Sequence, residues 1–437
     1  CAHSALYCSQ EQFIDTPTRE KGQFLWDAAN ESETVLRAFG DRNLSWQGLR
    51  DMARAQARYW PTGQLNEVYP NDDGAQDYPT FTARYPEWVW RYYLSTGDHE
   101  TVVGLLPVLR NLSGYLTRSV DPSTGLVSGL QLPNNGTGQY GYDYGTVADT
   151  TMNVLSANAH RRIASVAALA GDQGSAAAES TAADALTAQI NAQLVDASGL
   201  YVDGLRADGS QSTHASQLAN ACALAYGVCP AGQAAAVGRY VASLDISVEP
   251  DHGLELLRGL HAAGRDDDVV RLLTDRSFPG WAAILASGGT FTWETWTPSD
   301  LIGDSMSHGW GASALVAMQE ALLGVTPMAA GSGDPPTLVA VIPPAHPTRL
   351  RWARGTFPTP AGTYAVAWRR AGGSLRLSLT VPPNAGARCG LPTAAVARVT
   401  EAGAPLSRSA GVQVRSSPGQ ALVLSLPAGT YDLAVRL

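Results

Sequence analysis

The chain predicts a mainly helical fold, an (α/α)6 barrel followed by a small C-terminal antiparallel β-sandwich, and three observations carry that prediction. Paired helix-stop and helix-start signals recur at Gly97-Asp98, at Gly171-Asp172 and around Gly264. Past residue 325 the apolar period changes from helical to alternating. Between the two regimes lies a stretch rich in Pro and Gly, residues 326–336, with the composition of a linker.

The helical part is read over residues 1–325. In the run Ser180–Leu194, the residues Leu186, Ile190 and Leu194 fall four apart and form one stripe of a helix. Gly supplies the left-handed residue that closes one helix, and Asp is a good N-cap for the next. Helical hairpins repeated over such a length suggest a toroid or a solenoid, and the lack of a tight sequence period favours the closed barrel. Residues 337–437 are read as the sandwich. Ser374–Val381 alternates strictly, and Leu422–Leu426 alternates at its start. Pro-Ala-Gly-Thr-Tyr occurs at Pro360–Tyr364 and again at Pro427–Tyr431, each time ahead of an alternating strand.

The 437 residues carry a net charge of −9 and no basic run, which argues against a nucleic-acid partner. No stretch approaches the ~18 unbroken apolar residues of a membrane span. The eight His and five Cys show no metal-ligand spacing, so no metal and no cofactor is expected. Cys222 and Cys229 are near enough in sequence to bridge, or they are two thiols packed as small hydrophobes. Asn-x-Ser/Thr frames at Asn30, Asn43, Asn111 and Asn135 are common by chance and leave the compartment open, with secretion the favoured side.

Three constellations carry chemistry. Asp15–Asp27 packs three carboxylates, Arg19 and two aromatic residues into one short run. Pro17 suits the first turn of a helix, and a helix continuing from it would bring Glu20 and Asp27 to one face. A capped surface helix would explain the charges, but not the apolar bulk of Ile14, Phe24, Leu25 and Trp26 around them. Gly288–Trp296 sets Glu294 among Trp293 and Trp296, where aromatic rings can stack on sugar faces and a carboxylate can act as acid or base. The alternative is a Trp pair in the core with Glu294 pointing out. Asp304–Ala312 contains His308, and a lone His is more often a structural hydrogen-bonder than a catalyst.

In these three runs, in this order, the chain resembles the α-L-rhamnosidases of glycoside hydrolase family 78. Asp15–Asp27 is similar to that family's Asp-x-Pro-x-Arg-(Asp/Glu)-Glu…Trp-x-Gly-Asp signature, Trp293–Trp296 to its Trp-Glu-x-Trp segment, and the run at His308 to its Ser-x-Asn-His segment. Gly141–Tyr144 resembles its Gly-Asp-Trp loop. Departures are present: Phe24 stands where Trp is frequent, Trp26 where Gly is, Ser307 where Asn is, and the signature is one residue shorter between Asp15 and Glu20. The resemblance implies an inverting exo-hydrolase that releases terminal α-L-rhamnose from a glycoside or polysaccharide. Glu20 would be the general acid and Glu294 the general base. Asp15, Arg19, Asp27, His308 and Asp143 would bind the sugar hydroxyls, with Trp293 and Trp296 walling the subsite.

Such an enzyme needs its two carboxyls ~6.5–9.5 Å apart. At a helix N-terminus Glu20 would meet a dipole that favours the wrong protonation state for an acid. Asp15, Asp27 and the apolar wall would have to oppose it. Competing readings are the same fold acting on another terminal sugar, a catalytically silent carbohydrate-binding protein, and a helical scaffold; the presence of both Glu20 and Glu294 counts against the second, and the Trp-rich, Gly-rich loops count against the third. In the resembling family β-sandwich domains precede the barrel, so an upstream β region is expected on another chain or as a missing piece. Its absence should leave an apolar patch near residues 1–14, where Ala5, Leu6, Phe13 and Ile14 read as one helix.

Overall fold

Helices α2 (Leu25–Ala38), α4 (Pro79–Thr96), α7 (Thr150–Leu169), α9 (Gln217–Ala225) and α11 (Gly253–Ala262) are buried over most of their surface. Between them in sequence fall α3 (Asn43–Tyr59), α6 (Leu106–Arg118), α8 (Gln173–Gln193), α10 (Ala231–Ser243) and α12 (Asp266–Thr274), each with one buried stripe and one wet face. That alternation follows from composition: a helix apolar or small all round must be enclosed, and an amphipathic one covers it. The computed structural model describes residues 1–70, 74–130, 142–299, 303–331, 334, 337–343, 349–408, 411–415 and 421–437. Short helices α1 (Ala2–Tyr7), α5 (His99–Gly104) and α13 (Trp281–Ala286) also occur, as do 3-10 turns at Pro250–His252 and Trp310–Ser313 and one two-residue antiparallel pair, β1 (Ala148–Asp149) and β2 (Gly204–Leu205). Among the described residues no helix is long and apolar enough to cross a membrane.

The expected punctuation is present. Gly97, Gly171 and Gly264 all take positive φ, and the Asp98 and Asp172 carboxylates accept from Thr101 and Ser175 amides at the starts of α5 and α8. Leu186 and Ile190 are buried on α8 and Leu194 at its C-cap.

Two helical expectations near the N-terminus fail. No helix continues from Pro17: residues 17–20 form a turn, Lys21 takes φ 55°, and α2 starts only at Leu25. The cause is local, because Asp15 accepts from the Gly22 amide through Oδ1 (2.8 Å) and its own amide donates to the Gly22 carbonyl (3.0 Å), closing a loop instead of a helical turn. Glu20 and Asp27 therefore share no helix face. Phe13 and Ile14 also lie outside a helix, since α1 ends at Tyr7 and a bridge joins Ser9 to Phe13. Cys222 and Cys229 are separate thiols, Cys222 buried on α9 and Cys229 beyond its end.

Contacts divide the chain into two units: Cys1–Thr34, Arg42–Tyr92 and Asp98–Ala314 form the first, and Val35–Asp41, Tyr93–Gly97 and Leu315–Leu437 the second. In the second unit, β5 (Trp352–Thr359), β6 (Gly362–Ala371), β7 (Ser374–Val381), β9 (Val399–Glu401), β10 (Ala404–Pro405) and β13 (Gly429–Arg436) form one sheet, ordered β10-β9-β13-β7-β6-β5. The other sheet runs β11-β12-β8-β4-β3, from β3 (Val325–Met328), β4 (Thr337–Val341), β8 (Ala385–Leu391), β11 (Gln413–Val414) and β12 (Leu422–Leu426). Phe357, Tyr364, Leu377 and Leu433 of the first sheet and Val339, Cys389 and Leu424 of the second share one core. Two details depart from the sequence reading. The second sheet is mixed, because β4 pairs parallel with β8, and β3 falls inside the stretch expected to be a linker.

Candidate active site

The loop Asp15–Gly22 is fastened to residues far along the chain. The Gly309 amide donates to the Asp15 carbonyl (3.0 Å), and the Thr16 and Ser305 hydroxyls lie 2.7 Å apart. This docking brings Arg19 onto Glu294, whose two carboxylate oxygens each accept from Nη2 at 2.6 Å. The other guanidinium nitrogen, Nη1, stands 3.4 Å from Glu20 Oε1. One guanidinium thus touches both expected catalytic carboxylates. Exposure differs between them: the Glu20 side chain is 45 % accessible and that of Glu294 9 %.

Glu294 is fixed on every side. Its amide donates to the Ser305 carbonyl (2.9 Å), its carbonyl accepts from the Trp310 indole (3.0 Å), and its Oε2 accepts from the Ser305 amide (2.7 Å). Burial raises its pKa above the ordinary glutamate value, against the pull of the Ser305 amide and Arg19. Ser305, the first residue of the run likened to Ser-x-Asn-His, touches both of the other runs, a linking role not expected from the sequence. Nothing in a serine's local surroundings announces a partner 289 residues away.

Beneath this pair lies a buried polar floor. His308 stands with Nε2 3.9 Å from Asp15 Oδ2 and Nδ1 3.5 Å from Asp27 Oδ1, and its ring lies over Trp310. Asp15 Oδ2, Asp27 Oδ1 and His308 Nδ1 are all buried without a hydrogen-bond partner among the described residues. Burial pushes the Asp15 carboxyl up to about 8, helped by the neighbouring Glu20 carboxyl and opposed by the Thr16 and Gly22 amides. Asp27 is raised well above the usual aspartate range by its burial and then by Asp15. His308 is held well below the usual imidazole range by burial and by Arg19, so the ring is neutral.

The remaining expected residues are placed differently. Trp293 is half-buried and stacks on Phe278, with ring centroids 5.9 Å apart. Trp296 is buried edge-to-face against Trp281, its indole donating to the Val248 carbonyl (2.7 Å), so it backs the site instead of facing it. Asp143 accepts from Arg206 (2.7 Å) and Ser212 (2.8 Å), and its amide donates to Asp203, which in turn meets His214. No contact among the described residues joins that group to Arg19 or Glu294. Tyr142 is buried with its hydroxyl on Asp149, Tyr144 lies beside it, and Tyr140 and Gly141 fall outside the described residues. Among the described residues no group of three or more His, Cys, Asp or Glu is arranged to hold a metal ion.

Comparison with known proteins gives a consistent result. Residues 1–321 match the model of the bacterial alpha-L-rhamnosidase 6 hairpin glycosidase domain, and residues 339–404 that of the bacterial alpha-L-rhamnosidase C-terminal domain. An alpha-L-rhamnosidase of Alteromonas sp. (strain LOR) is 32 % identical over 132 residues, 29 % of this chain and 14 % of that protein. One of Streptomyces avermitilis is 30 % identical over 144 residues, 31 % and 14 % of the respective chains. Among solved structures, the Streptomyces avermitilis alpha-L-rhamnosidase complexed with L-rhamnose is similar with a TM-score of 0.77 at 21 % identity, over 99 % of this chain and 41 % of that one. The alpha-L-rhamnosidase from Dictyoglumus thermophilum is similar with a TM-score of 0.80 at 17 % identity, over 100 % and 49 %. The chain thus spans less than half the length of these solved relatives. With its first 321 residues matched, and its first three motif runs gathered at one place, the chain belongs to the bacterial α-L-rhamnosidase six-hairpin glycosidase family.

Proposed function

We propose that this chain is the catalytic module of an exo-acting, inverting α-L-rhamnosidase, with its helices closed into an (α/α)6 barrel and the β-sandwich appended. The observation that carries the reading is Arg19 bridging Glu20 and Glu294. Glu20, the exposed member, gives its proton to the glycosidic oxygen as the bond to the anomeric carbon breaks. Glu294, buried and oriented by Ser305, takes a proton from a water that attacks the opposite face of that carbon. Its raised pKa strengthens it as a base.

The unpaired polar atoms of Asp15, Asp27 and His308 suit a ligand dense in hydroxyls, since a buried polar atom without a partner is an unmet demand. Arg19 adds donors at the same floor. Trp293 supplies the aromatic wall, with Trp296 supporting from behind. Asp143, in its Arg206 and Ser212 cradle, belongs to the rim. An upstream β region, on this protein or a second chain, is part of this proposal, and the greater length of the relatives leaves room for it.

The test is hydrolysis of a panel of aryl glycosides, followed by proton NMR of the released sugar. The α-L-rhamnoside should be cleaved at least about tenfold faster than the other glycosides, with the β-anomer appearing first. Initial release of the α-anomer would replace the inverting mechanism with a retaining one, and preference for another glycoside would replace the sugar.

A further inference from the structure

The polar floor contains a carboxyl that the proposed mechanism does not use. Glu31 follows Asp27 by four residues on α2, one turn on and on the same face. It is fully buried (0 % accessible), and neither of its oxygens has a hydrogen-bond partner of ordinary geometry among the described residues. The backbone that follows His308 closes over it: a Cβ added at Gly309 would fall 1.6 Å from Glu31 Oε1 and 2.7 Å from its Cγ. Gly309 therefore leaves the space that this carboxyl fills.

The titratable groups facing Glu31 come from three elements. Cys8, at the end of α1, places a thiol beside it; Asp15 reaches it from the Asp15–Gly22 loop, and Asp27 from its own helix. Next to these stands His308, neutral and 3.5 Å from Asp27. None of these is a cation, and Arg19 is engaged by Glu294 and Glu20. An enclosed carboxylate without a compensating charge is strongly disfavoured, so the group keeps its proton. Its burial and the nearby Asp27 and Asp15 act in the same direction.

Resting on the glycosidase reading, we infer that Glu31 is a positioning residue: a neutral carboxylic acid wedged between Asp27 and the His308–Gly309 backbone, which holds Asp27 and His308 in place under the sugar subsite. As an acid it fills the space under Gly309 without adding a negative charge beside Asp15 and Asp27.

Three variants test this, Glu31→Gln, Glu31→Leu and Gly309→Ala. At pH 7 the infrared carbonyl band of protonated carboxyl groups should lose intensity in Glu31→Gln relative to the native protein. A carboxyl whose folded pKa is raised loses stability as pH rises above its unfolded value. Glu31→Gln should therefore gain in melting temperature over the native protein from about pH 5 to pH 8, with the gap closing toward pH 4.5. On an aryl rhamnoside, Glu31→Gln should stay within about threefold in kcat and KM. Glu31→Leu and Gly309→Ala should raise KM about tenfold or more with kcat nearly kept. The His308 imidazole NMR signals should move in those two variants and not in Glu31→Gln. An unchanged infrared band with a pH-independent stability gap would overturn the neutral acid. His308 signals and KM in Glu31→Leu matching those of Glu31→Gln would overturn the positioning role. If the native protein cleaves no rhamnoside, the enzymatic reading fails by itself, and the infrared, stability and NMR results still decide the role of Glu31.

Discussion

Arg19 offers one cation to two carboxyls that must work in opposite protonation states. The two should respond differently to removal of their acidity. Glu294→Gln leaves no base for the attacking water, so kcat should fall by roughly 10²–10⁴ for every rhamnoside tried. Glu20→Gln removes only the proton given to the leaving group. Its loss should be of that size for an alkyl rhamnoside and far smaller for a nitrophenyl one, whose departing oxygen needs little help. Equal losses on both substrates, measured as kcat ratios, would move the acid role elsewhere. Both carboxyls stood out in the sequence by the aromatic and apolar residues around them, and their proposed roles came from the family resemblance. Glu31 was not: within α2 it reads as one more charged residue, and only the bare Gly309, 278 positions on, shows what encloses it.

At the scale of elements, legibility followed the range of the interaction. The stops at Gly97 and Gly171 and the caps at Asp98 and Asp172 are local chemistry and could be read directly. The start of α2 could not, because Pro17 signals a helix while the Asp15–Gly22 closure and Lys21 refuse one. Nor could the parallel pairing of β4 with β8, which depends on strands well separated in sequence. Helix packing yields a prediction of inverted sign. Gly259 sits mid-way along α11, where Ala is the better helix former by about 1 kcal/mol. Here a Cβ would meet the Ala221 carbonyl oxygen at 2.6 Å, on the backbone of α9. Backbone cannot turn aside as a side chain can, so Gly259→Ala should destabilise by about 1–3 kcal/mol in urea unfolding. A gain in stability would mean that α9 and α11 are not so closely apposed.

For the whole molecule, the buried acids set the pH dependence. Asp15, Asp149 and Asp77 are pushed up to about 8, 7 and 6, in each case chiefly by burial. Each holds a proton when folded that the unfolded chain has already lost, so its contribution is complete below about pH 4 and is lost as pH rises through those values. Glu255 has the opposite sign. Despite its burial, Arg84 and His252 hold it down to about 2, and its contribution disappears as pH falls from 4.5 toward 2. Thermal unfolding between pH 3 and 9 should therefore peak near pH 4–5, and a maximum at pH 7 or above would contradict the protonated acids.

The site also has a temporal consequence. Its halves are the first 27 residues and the segment near 290–310. Thr292 donates to Ser4, Thr16 meets Ser305, and Arg19 meets Glu294, across separations of 288, 289 and 275 residues. On a ribosome adding ~5–20 residues per second, the N-terminal half waits roughly 15–60 s before its other half exists. Through that interval Phe13, Leu25 and Trp26, all buried in the finished protein, have no complete surface to pack on. The site is assembled only once the segment near residues 290–310 has been made.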